Sequence, residues 1–112
     1  MDYLKHNLRD RGREVFLVVL LNGRNQVLDI VELFEGTLTT SAVYPRKLIL
    51  EKDAAAVIFV HNHPSGNPNP SKDDQNLTQK LKAACSTIDV QLHDHLIIAG
   101  NEYTSMADKG MV

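Results

Sequence analysis

The chain has 112 residues, a formal net charge of -2 at pH 7 and a pI of about 6.2, a size that predicts one domain with a single hydrophobic core. Its hydrophobic content of 43% is ordinary for a globular protein, and no apolar stretch approaches the roughly 20 residues that a membrane span needs. The acidic balance, with scattered Lys and Arg, argues against a nucleic-acid partner. Residues 1–12 are polar and basic without an apolar signal segment, and Cys85 is the single cysteine, so we expect a cytoplasmic protein without disulfides.

The apolar runs and turn formers predict a succession of strands and helices. The predicted elements are strands Val15 to Leu21 and Gln26 to Phe34, a short helix from Pro45 to about Asp53, a central strand over 54–60, a helix from Ser71 to about Ser86, and strands Ile88 to Leu92 and His95 to Ala99. The first two strands bracket Asn22-Gly23-Arg24-Asn25, in which Asn-Gly is a strong hairpin signal, and Gly36-Thr37 marks a further turn. We interpret 1–112 as one domain, with 1–12 as a polar N-terminal extension.

The most specific feature is a pair of histidines that follows the predicted central strand. Because side chains alternate along a strand, His61 and His63 project to the same side and their imidazoles can converge on one point. Pro64 stops the strand, a loop rich in turn formers follows, and the helix from Ser71 places Asp74 in its first turn. Two histidines and one aspartate leave a fourth ligand position for water, which is the pattern of catalytic zinc sites.

Simpler interpretations of the same residues stay open. Ser71-x-x-Asp74 also resembles a capping box, in which the serine caps the helix and the acid reaches back to it. A lone histidine at a strand end is commonly a hydrogen-bonded polar residue without a ligand. Cys85 lies on the apolar stripe of the predicted helix, where it is expected to be a small core residue rather than a nucleophile.

A second His-x-His pair, His93-Asp94-His95, is the rival metal site. It has no acidic partner at a motif distance, so strand residues of alternating polarity are the simpler interpretation. As a further hypothesis, Asp94 could orient a liganding histidine by accepting its second N–H.

The combination of His-x-His-Pro, a spacer rich in Gly and Pro, and Ser-x-x-Asp resembles the JAMM metal-binding motif of the JAB/MPN metalloprotease family. Further segments over about Arg13 to Ser105 resemble its RadC branch, namely His61-Asn62-His63-Pro64-Ser65-Gly66, Phe34-Glu35-Gly36-Thr37-Leu38, Tyr44-Pro45-Arg46 and Asp94-His95-Leu96-Ile97-Ile98.

The resemblance implies an α/β fold with a mixed central sheet flanked by helices, arranged in three layers and related to the cytidine deaminases. It also implies a zinc ion (Zn2+) held by the residues that match the motif, His61, His63 and Asp74. The family places a glutamate before its first core strand and a serine in the spacer motif. Glu14 and Ser71 match these two positions; the competing acids Glu32 and Glu35 fall later in the chain than the family pattern puts the glutamate.

The activity implied by the resemblance is that of a zinc-dependent metallopeptidase or isopeptidase acting on a peptide or protein. Zinc lowers the pKa of a bound water to about 7, Glu14 would be the general base, and Ser71 would donate a hydrogen bond to the oxyanion. Two alternatives remain: a DNA-repair role, which the RadC name suggests, and a metal-binding module that recognises a protein partner without cleaving it. An exposed strand edge could also pair two chains as a homodimer.

Overall fold

The computed structural model of the chain describes residues 13–35 and 46–112, without the side chains of residues 34 and 35. Its elements, in chain order, are β1 (Val15–Leu21), β2 (Val27–Glu35), α1 (Arg46–Glu51), β3 (Ala56–Asn62), α2 (Lys72–Ser86), β4 (Gln91–Ala99) and β5 (Glu102–Ser105). The predicted extension 1–12, the turn at Gly36-Thr37 and the helix start at Pro45 lie outside the described residues.

The strands form a five-stranded sheet in the order β2-β1-β3-β4-β5. β3 runs parallel to β4, whereas β1 is antiparallel to both β2 and β3, and β5 is antiparallel to β4. The predicted α/β fold with a mixed sheet is therefore confirmed. Among the strands that the structure describes, β2 and β5 lie at the edges of the sheet; pairing of two chains through such an edge stays a prediction.

The predicted hairpin between β1 and β2 is confirmed, with a turn held by Asn22. The Asn22 side-chain oxygen accepts hydrogen bonds from the amides of Arg24 and Gln26. The left-handed backbone conformation falls on Asn25, with φ of 60°, and not on the glycine of the Asn-Gly pair. Asparagine tolerates that region better than most residues do, so the turn closes without strain at a branched side chain.

Both faces of the sheet bury apolar side chains, and the two described helices pack on the same face. That face joins Phe16, Val18, Leu20, Val57 and Phe59 of the strands to Ile49, Leu77, Leu81 and Cys85 of the helices. The opposite face buries Val15, Leu17, Val19, Leu21, Ala56, Val60, Leu96 and Ile98. Cys85 is thus a core residue, as predicted, while the three-layer arrangement and the relation to cytidine deaminases stay predictions.

The predicted strand Ile88 to Leu92 is wrong over most of its length. The amides of Ile88 and Val90 both donate to the carbonyl of Cys85, and Asp89 has a positive φ of 57°. These contacts complete the end of α2, so β4 begins at Gln91. Ile88 and Val90 pack under the end of the helix. An apolar pattern this short does not distinguish a helix end from a strand.

The predicted break between the last two strands is also wrong, because β4 continues through His93 and Asp94. Its parallel pairing with β3 contains a β-bulge, since Val57 pairs with Leu92 and Ile58 with Asp94. The extra residue, His93, is absorbed without ending the strand.

The sequence prediction does not include β5, although the sequence contains a hairpin signal before it. Gly100-Asn101 separates the end of β4 from Glu102 and is a two-residue hairpin connection, with φ of 60° at Gly100. The Asp94 carboxylate holds the end of β5 and the turn that follows it, because it accepts hydrogen bonds from the Ser105 hydroxyl and the Ala107 amide.

Candidate metal centre

Four side chains with metal-ligand atoms converge beside the end of β3. One such atom from each of Glu14, His61, His63 and Asp74 lies within 4.8 Å of the others. The Asp74 oxygens are 3.2 Å from Nε2 of His61 and 3.0 Å from Nε2 of His63, and these two nitrogens are 3.1 Å apart. Oε1 of Glu14 is 3.7 Å from Nε2 of His61. The structure therefore brings together the three predicted ligands and the glutamate that the resemblance selects.

His61 is placed by the alternation of β3. It shares the helix-facing side of the strand with Val57 and Phe59, is fully buried, and stacks on Phe16 with 5.7 Å between the ring centroids. Phe16 is also its partner in the antiparallel pairing with β1. The stacking on Phe16 and the 2.8 Å contact of Nδ1 with Nε2 of His95 together fix the direction in which Nε2 points.

His63 follows the end of β3 and is held by the loop after it. Its Nδ1 lies 2.9 Å from the carbonyl oxygen of Asn67. A carbonyl only accepts, so Nδ1 carries the proton of the neutral ring and Nε2 keeps its lone pair. The loop thereby selects the tautomer that binds a metal once Nε2 has lost its proton.

Asp74 belongs to the helix cap and to the cluster at once. The Ser71 hydroxyl accepts from the Asp74 amide at 3.0 Å, and Oδ2 of Asp74 accepts from the Ser71 amide at 2.8 Å, which completes a capping box. The capping interpretation is therefore confirmed, and it is compatible with a metal site. Ser71 is exposed and keeps its hydroxyl proton for a second partner, because in the cap the oxygen only accepts.

Glu14 reaches the cluster because β1 is antiparallel to β3, which sets the start of one strand beside the end of the other. Asn62 fixes this junction: its side-chain oxygen accepts from the Val15 amide at 2.6 Å, and its nitrogen donates to the Arg13 carbonyl at 3.0 Å. One buried amide thus holds both neighbours of Glu14. Sequence reasoning missed Asn62, although its place between the two histidines was the available signal.

The competing acids lie farther from the cluster. Glu32 and Glu35 are on β2, which β1 separates from β3, so their backbone is about 10 Å from β3 at the usual strand spacing. Glu32 is exposed and its backbone pairs with Leu17. The backbone of Glu35 pairs with Val15, and its side chain is outside the described part of the structure.

The cluster is rich in acceptors and needs a positive charge at its centre. Burial by itself would raise the pKa of Asp74, but in the metal-free cluster hydrogen bonds from protonated Nε2 atoms of His61 and His63, and from the Ser71 amide, hold that pKa well below its ordinary value. The hydrogen bond to Asp74 raises the pKa of His63, against the effect of burial. A proton can supply the missing charge, and so can a divalent cation. Two imidazole nitrogens and a carboxylate at this spacing are a donor set that suits zinc.

Two buried residues extend the cluster into the core behind His61. Nδ1 of His61 is 2.8 Å from Nε2 of His95, and Nδ1 of His95 is 2.6 Å from the hydroxyl of Thr78. Burial, together with the nearby His61, lowers the pKa of His95 well below its ordinary value, so the ring is neutral. No motif in the sequence indicates Thr78. The sequence indicates His95 only as part of the second His-x-His pair and of the segment that resembles the RadC branch.

The second His-x-His pair does not converge. Nε2 of His93 contacts the side-chain oxygen of Asn25 at 2.9 Å, near the hairpin and away from His95. The strand interpretation of these residues is confirmed. The hypothesis that Asp94 orients a liganding histidine is wrong, because its carboxylate is bonded to Ser105 and Ala107.

Comparison with known proteins assigns the chain to a family. The model of the RadC-like JAB domain matches residues 1–111. The chain belongs to this family. Curated relatives include UPF0758 proteins of Shewanella baltica and Shewanella woodyi, each 50% identical over 114 aligned positions that cover 99% of this chain and 51% of the relative. The chain thus spans about half the length of the curated relatives it matches.

Family membership and the cluster together fit a metal-dependent role for this RadC-like JAB domain. An open cleft of about 420 Å³ lies over the cluster and is lined by Glu14, His63, Ser65, Asn69 and Ser71, among others. His61 and Asp74 lie deeper. Of the helices that the structure describes, none has both the length and the apolar character to cross a membrane.

Proposed function

We propose that this RadC-like JAB domain is a zinc-dependent metallopeptidase or isopeptidase. The observation that carries the proposal is the convergence of Glu14, His61, His63 and Asp74 within 4.8 Å beneath an open cleft. The cleft's volume of about 420 Å³ is within the usual range for ligand pockets, and its open form suits an extended chain better than a small enclosed metabolite.

His61, His63 and Asp74 would hold the ion, and a zinc site with three protein ligands keeps one coordination position for water or substrate. When bound, zinc supplies Lewis acidity that makes water nucleophilic near neutral pH. The fixed rings contribute orientation, since packing holds His61 and the Asn67 carbonyl holds His63. The cap holds Asp74 in the same way, so little reorganisation would accompany binding.

Glu14 would act as general base and then as general acid. Its side chain is 28% exposed, lines the cleft and borders the ligand cluster, which is the place from which a carboxylate can reach a water and a bound amide together. Water adds to the carbonyl carbon as the C–N bond breaks, and its proton passes through Glu14 to the leaving nitrogen. The Ser71 hydroxyl, at the rim of the same cleft, would donate to the carbonyl oxygen as it gains charge.

The test separates metal binding from catalysis by comparing Asp74→Ala with Glu14→Gln. Elemental mass spectrometry should find about one zinc per chain in the wild type and in Glu14→Gln, and much less in Asp74→Ala. A fluorogenic peptide library should be cleaved by the wild type, more slowly by about 10²–10⁴-fold by Glu14→Gln, and not by the metal-depleted Asp74→Ala. Glu32→Gln is the matched control, and it should keep both properties because Glu32 is exposed on β2.

Two results would contradict the proposal. If the wild-type chain retains no zinc, the proposed metal site is excluded. A zinc-loaded wild type that leaves all peptides and ubiquitin-like fusions intact removes the peptidase, and a partner-binding or DNA-repair-associated module without catalysis then becomes the better interpretation.

A further inference from the structure

We propose that Thr78 and His95 are positioning residues that hold the His61 ring with its Nε2 lone pair toward the candidate metal centre. This inference rests on the proposed metal site but not on peptidase activity. It concerns a hydrogen-bonded chain, called here the Thr78–His95 relay, that joins the backbone carbonyl of Asp74 to Thr78, His95 and then His61.

All the side chains of the relay are sealed from solvent. Thr78, His95 and His61 have 0% exposure, so water cannot replace any of their mutual hydrogen bonds. The Thr78 hydroxyl is 2.8 Å from the Asp74 carbonyl and 2.6 Å from Nδ1 of His95, and Nε2 of His95 is 2.8 Å from Nδ1 of His61. A buried polar chain of this kind must satisfy every member internally.

The direction of the protons in the relay decides whether His61 can bind a metal. A hydroxyl has one proton, and if Thr78 gives it to the Asp74 carbonyl, its oxygen must accept from Nδ1–H of His95. Nε2 of the neutral His95 ring then accepts from Nδ1–H of His61. His61 is left with a lone pair at Nε2, on the side of Asp74 and His63.

The opposite direction gives a ring that cannot bind a metal. If the Thr78 proton pointed to His95, the proton of that ring would sit on Nε2 and be donated to Nδ1 of His61. Nε2 of His61 would then carry the remaining proton toward Asp74. A bound metal therefore requires the first direction, in which Thr78 is the last donor and a helix carbonyl the last acceptor.

Packing prevents the His95 ring from adopting another arrangement. Its edge meets Phe16 and Phe59, with centroid separations of 5.6 Å and 6.4 Å. Thr78 and Asp74 are one turn apart on α2, so the same helix carries a ligand and the end of the relay. A shift of that helix would move Asp74 and Thr78 together. The position of the candidate ligand and the orientation of His61 would therefore change in step.

The first experiment removes the hydroxyl and then restores it. We expect Thr78→Val to weaken zinc binding by about 10–100-fold in a chelator-competition titration, which is the usual loss when a partner of a liganding histidine is removed. Thr78→Ser should restore affinity to near the wild-type value. Thr87→Val is the matched control, since the Thr87 hydroxyl also donates to a carbonyl of α2, that of Ala84, and it should bind zinc like the wild type.

The second experiment observes the ring protons directly in the zinc-loaded, unmutated chain. Long-range ¹H–¹⁵N spectra distinguish the two tautomers of neutral imidazole, and we expect the proton on Nδ1 in both His61 and His95. A proton on Nε2 of His95, or wild-type zinc affinity in Thr78→Val, overturns the inference while leaving the metal site intact. A wild-type chain that binds no zinc overturns the relay and the proposed function together.

Discussion

Asn62 lies between the candidate ligands His61 and His63 and fixes the backbone around the proposed base Glu14. Strand alternation points Asn62 away from the cluster side of β3 and toward the start of β1, where it hydrogen-bonds the backbone on both sides of Glu14. The x of His-x-His is therefore a structural position in this chain, because it sets where the proposed base stands.

Replacing Asn62 by alanine should loosen the proposed base while sparing the ligands. The buried Val15 amide loses its acceptor, which costs about 1–3 kcal/mol in the free energy of unfolding, and peptide hydrolysis should fall more than zinc affinity does. Urea denaturation, peptide kinetics and a zinc titration measure the three effects.

Asn22→Ala is the control for this change, because Asn22 also bonds two backbone amides but lies in the exposed hairpin turn. It should lower stability by less and leave hydrolysis and zinc affinity unchanged. Equal losses of hydrolysis in both variants would show that Asn62 has no special relation to Glu14.

Cys85 should behave as a core residue in solution. It is 4% exposed and burial raises its thiol pKa, so little reactive thiolate forms near neutral pH. A disulfide reagent such as DTNB should label the native chain slowly and the urea-unfolded chain at once. Rapid labelling of the native chain would contradict the placement of this side chain on the buried face of α2.

The ligands could be predicted from the sequence, whereas the residues behind them could not. His61 and His63 follow from strand alternation, and Asp74 follows from the start of a helix, so each depends on local structure alone. Thr78 and His95 meet only because α2 packs on the sheet and β4 pairs with β3 in one register. That register includes a bulge, which a periodic pattern does not reveal.

At the scale of elements, α2 is the part of the fold that combines stability with the proposed function. Its cap residue Ser71, the candidate ligand Asp74 and the relay residue Thr78 fall on consecutive turns of one side of the helix. The apolar residues of its buried face, including Leu77 and Leu81, anchor the helix on the sheet. Any change in the cap therefore acts on the candidate site as well as on the helix.

Substitutions at Ser71 should separate its two roles. Ser71→Ala removes the cap acceptor and should lower stability by about 0.5–2 kcal/mol. Ser71→Gly should recover most of that loss, because glycine at a cap position costs only about a few tenths of a kcal/mol and brings no side-chain donor. If the hydroxyl also donates to the reacting carbonyl, both variants should hydrolyse peptides about 10²–10³-fold more slowly.

The measurements are urea denaturation and peptide kinetics on the same preparations. Recovery of both stability and hydrolysis in Ser71→Gly would show that Ser71 acts through the cap alone. That outcome would leave Glu14 and the three ligands as the residues of the proposed chemistry.

The last two strands show where prediction of elements fails. Ile88 and Val90 are β-branched and apolar, yet they complete the end of α2 because Asp89 takes a left-handed conformation between them. β4 instead extends through the polar residues His93 and Asp94. Their side chains find partners in Asn25 and Ser105, which are distant in sequence, so local polarity did not mark the end of the strand.

At the scale of the whole molecule, protonation of the cluster couples stability to pH when no metal is bound. The Asp74 pKa is lowered from 3.8, so its contribution to stability is present above that value and is lost as pH falls below it. The His63 pKa is raised from 6.5, so its contribution is present below that value and is lost as pH rises through the raised pKa. The pair therefore stabilises the metal-free fold most between these limits.

Two measurements test this dependence of stability on pH. Urea unfolding in the presence of EDTA should show that the wild type loses stability relative to His63→Gln, which lacks the titrating ring, as pH rises above 6.5 and through the raised His63 pKa. Zinc affinity should change in the opposite direction and increase with pH, because the ion must displace the proton from His63. Parallel stability profiles for the two proteins would contradict the assignment of that proton.

The cluster also has a topological meaning, because its members come from the start of β1, the end of β3 and the first turn of α2. An ion held by His61, His63 and Asp74 would be a removable cross-link between the end of β3 and the first turn of α2, while Glu14 at the start of β1 borders it. It would close the loop between β3 and α2, which the unfolded chain leaves open, and closing a loop costs conformational entropy. Because the ion would bind the folded chain and not the unfolded one, the supply of metal would raise the fraction of molecules that are folded.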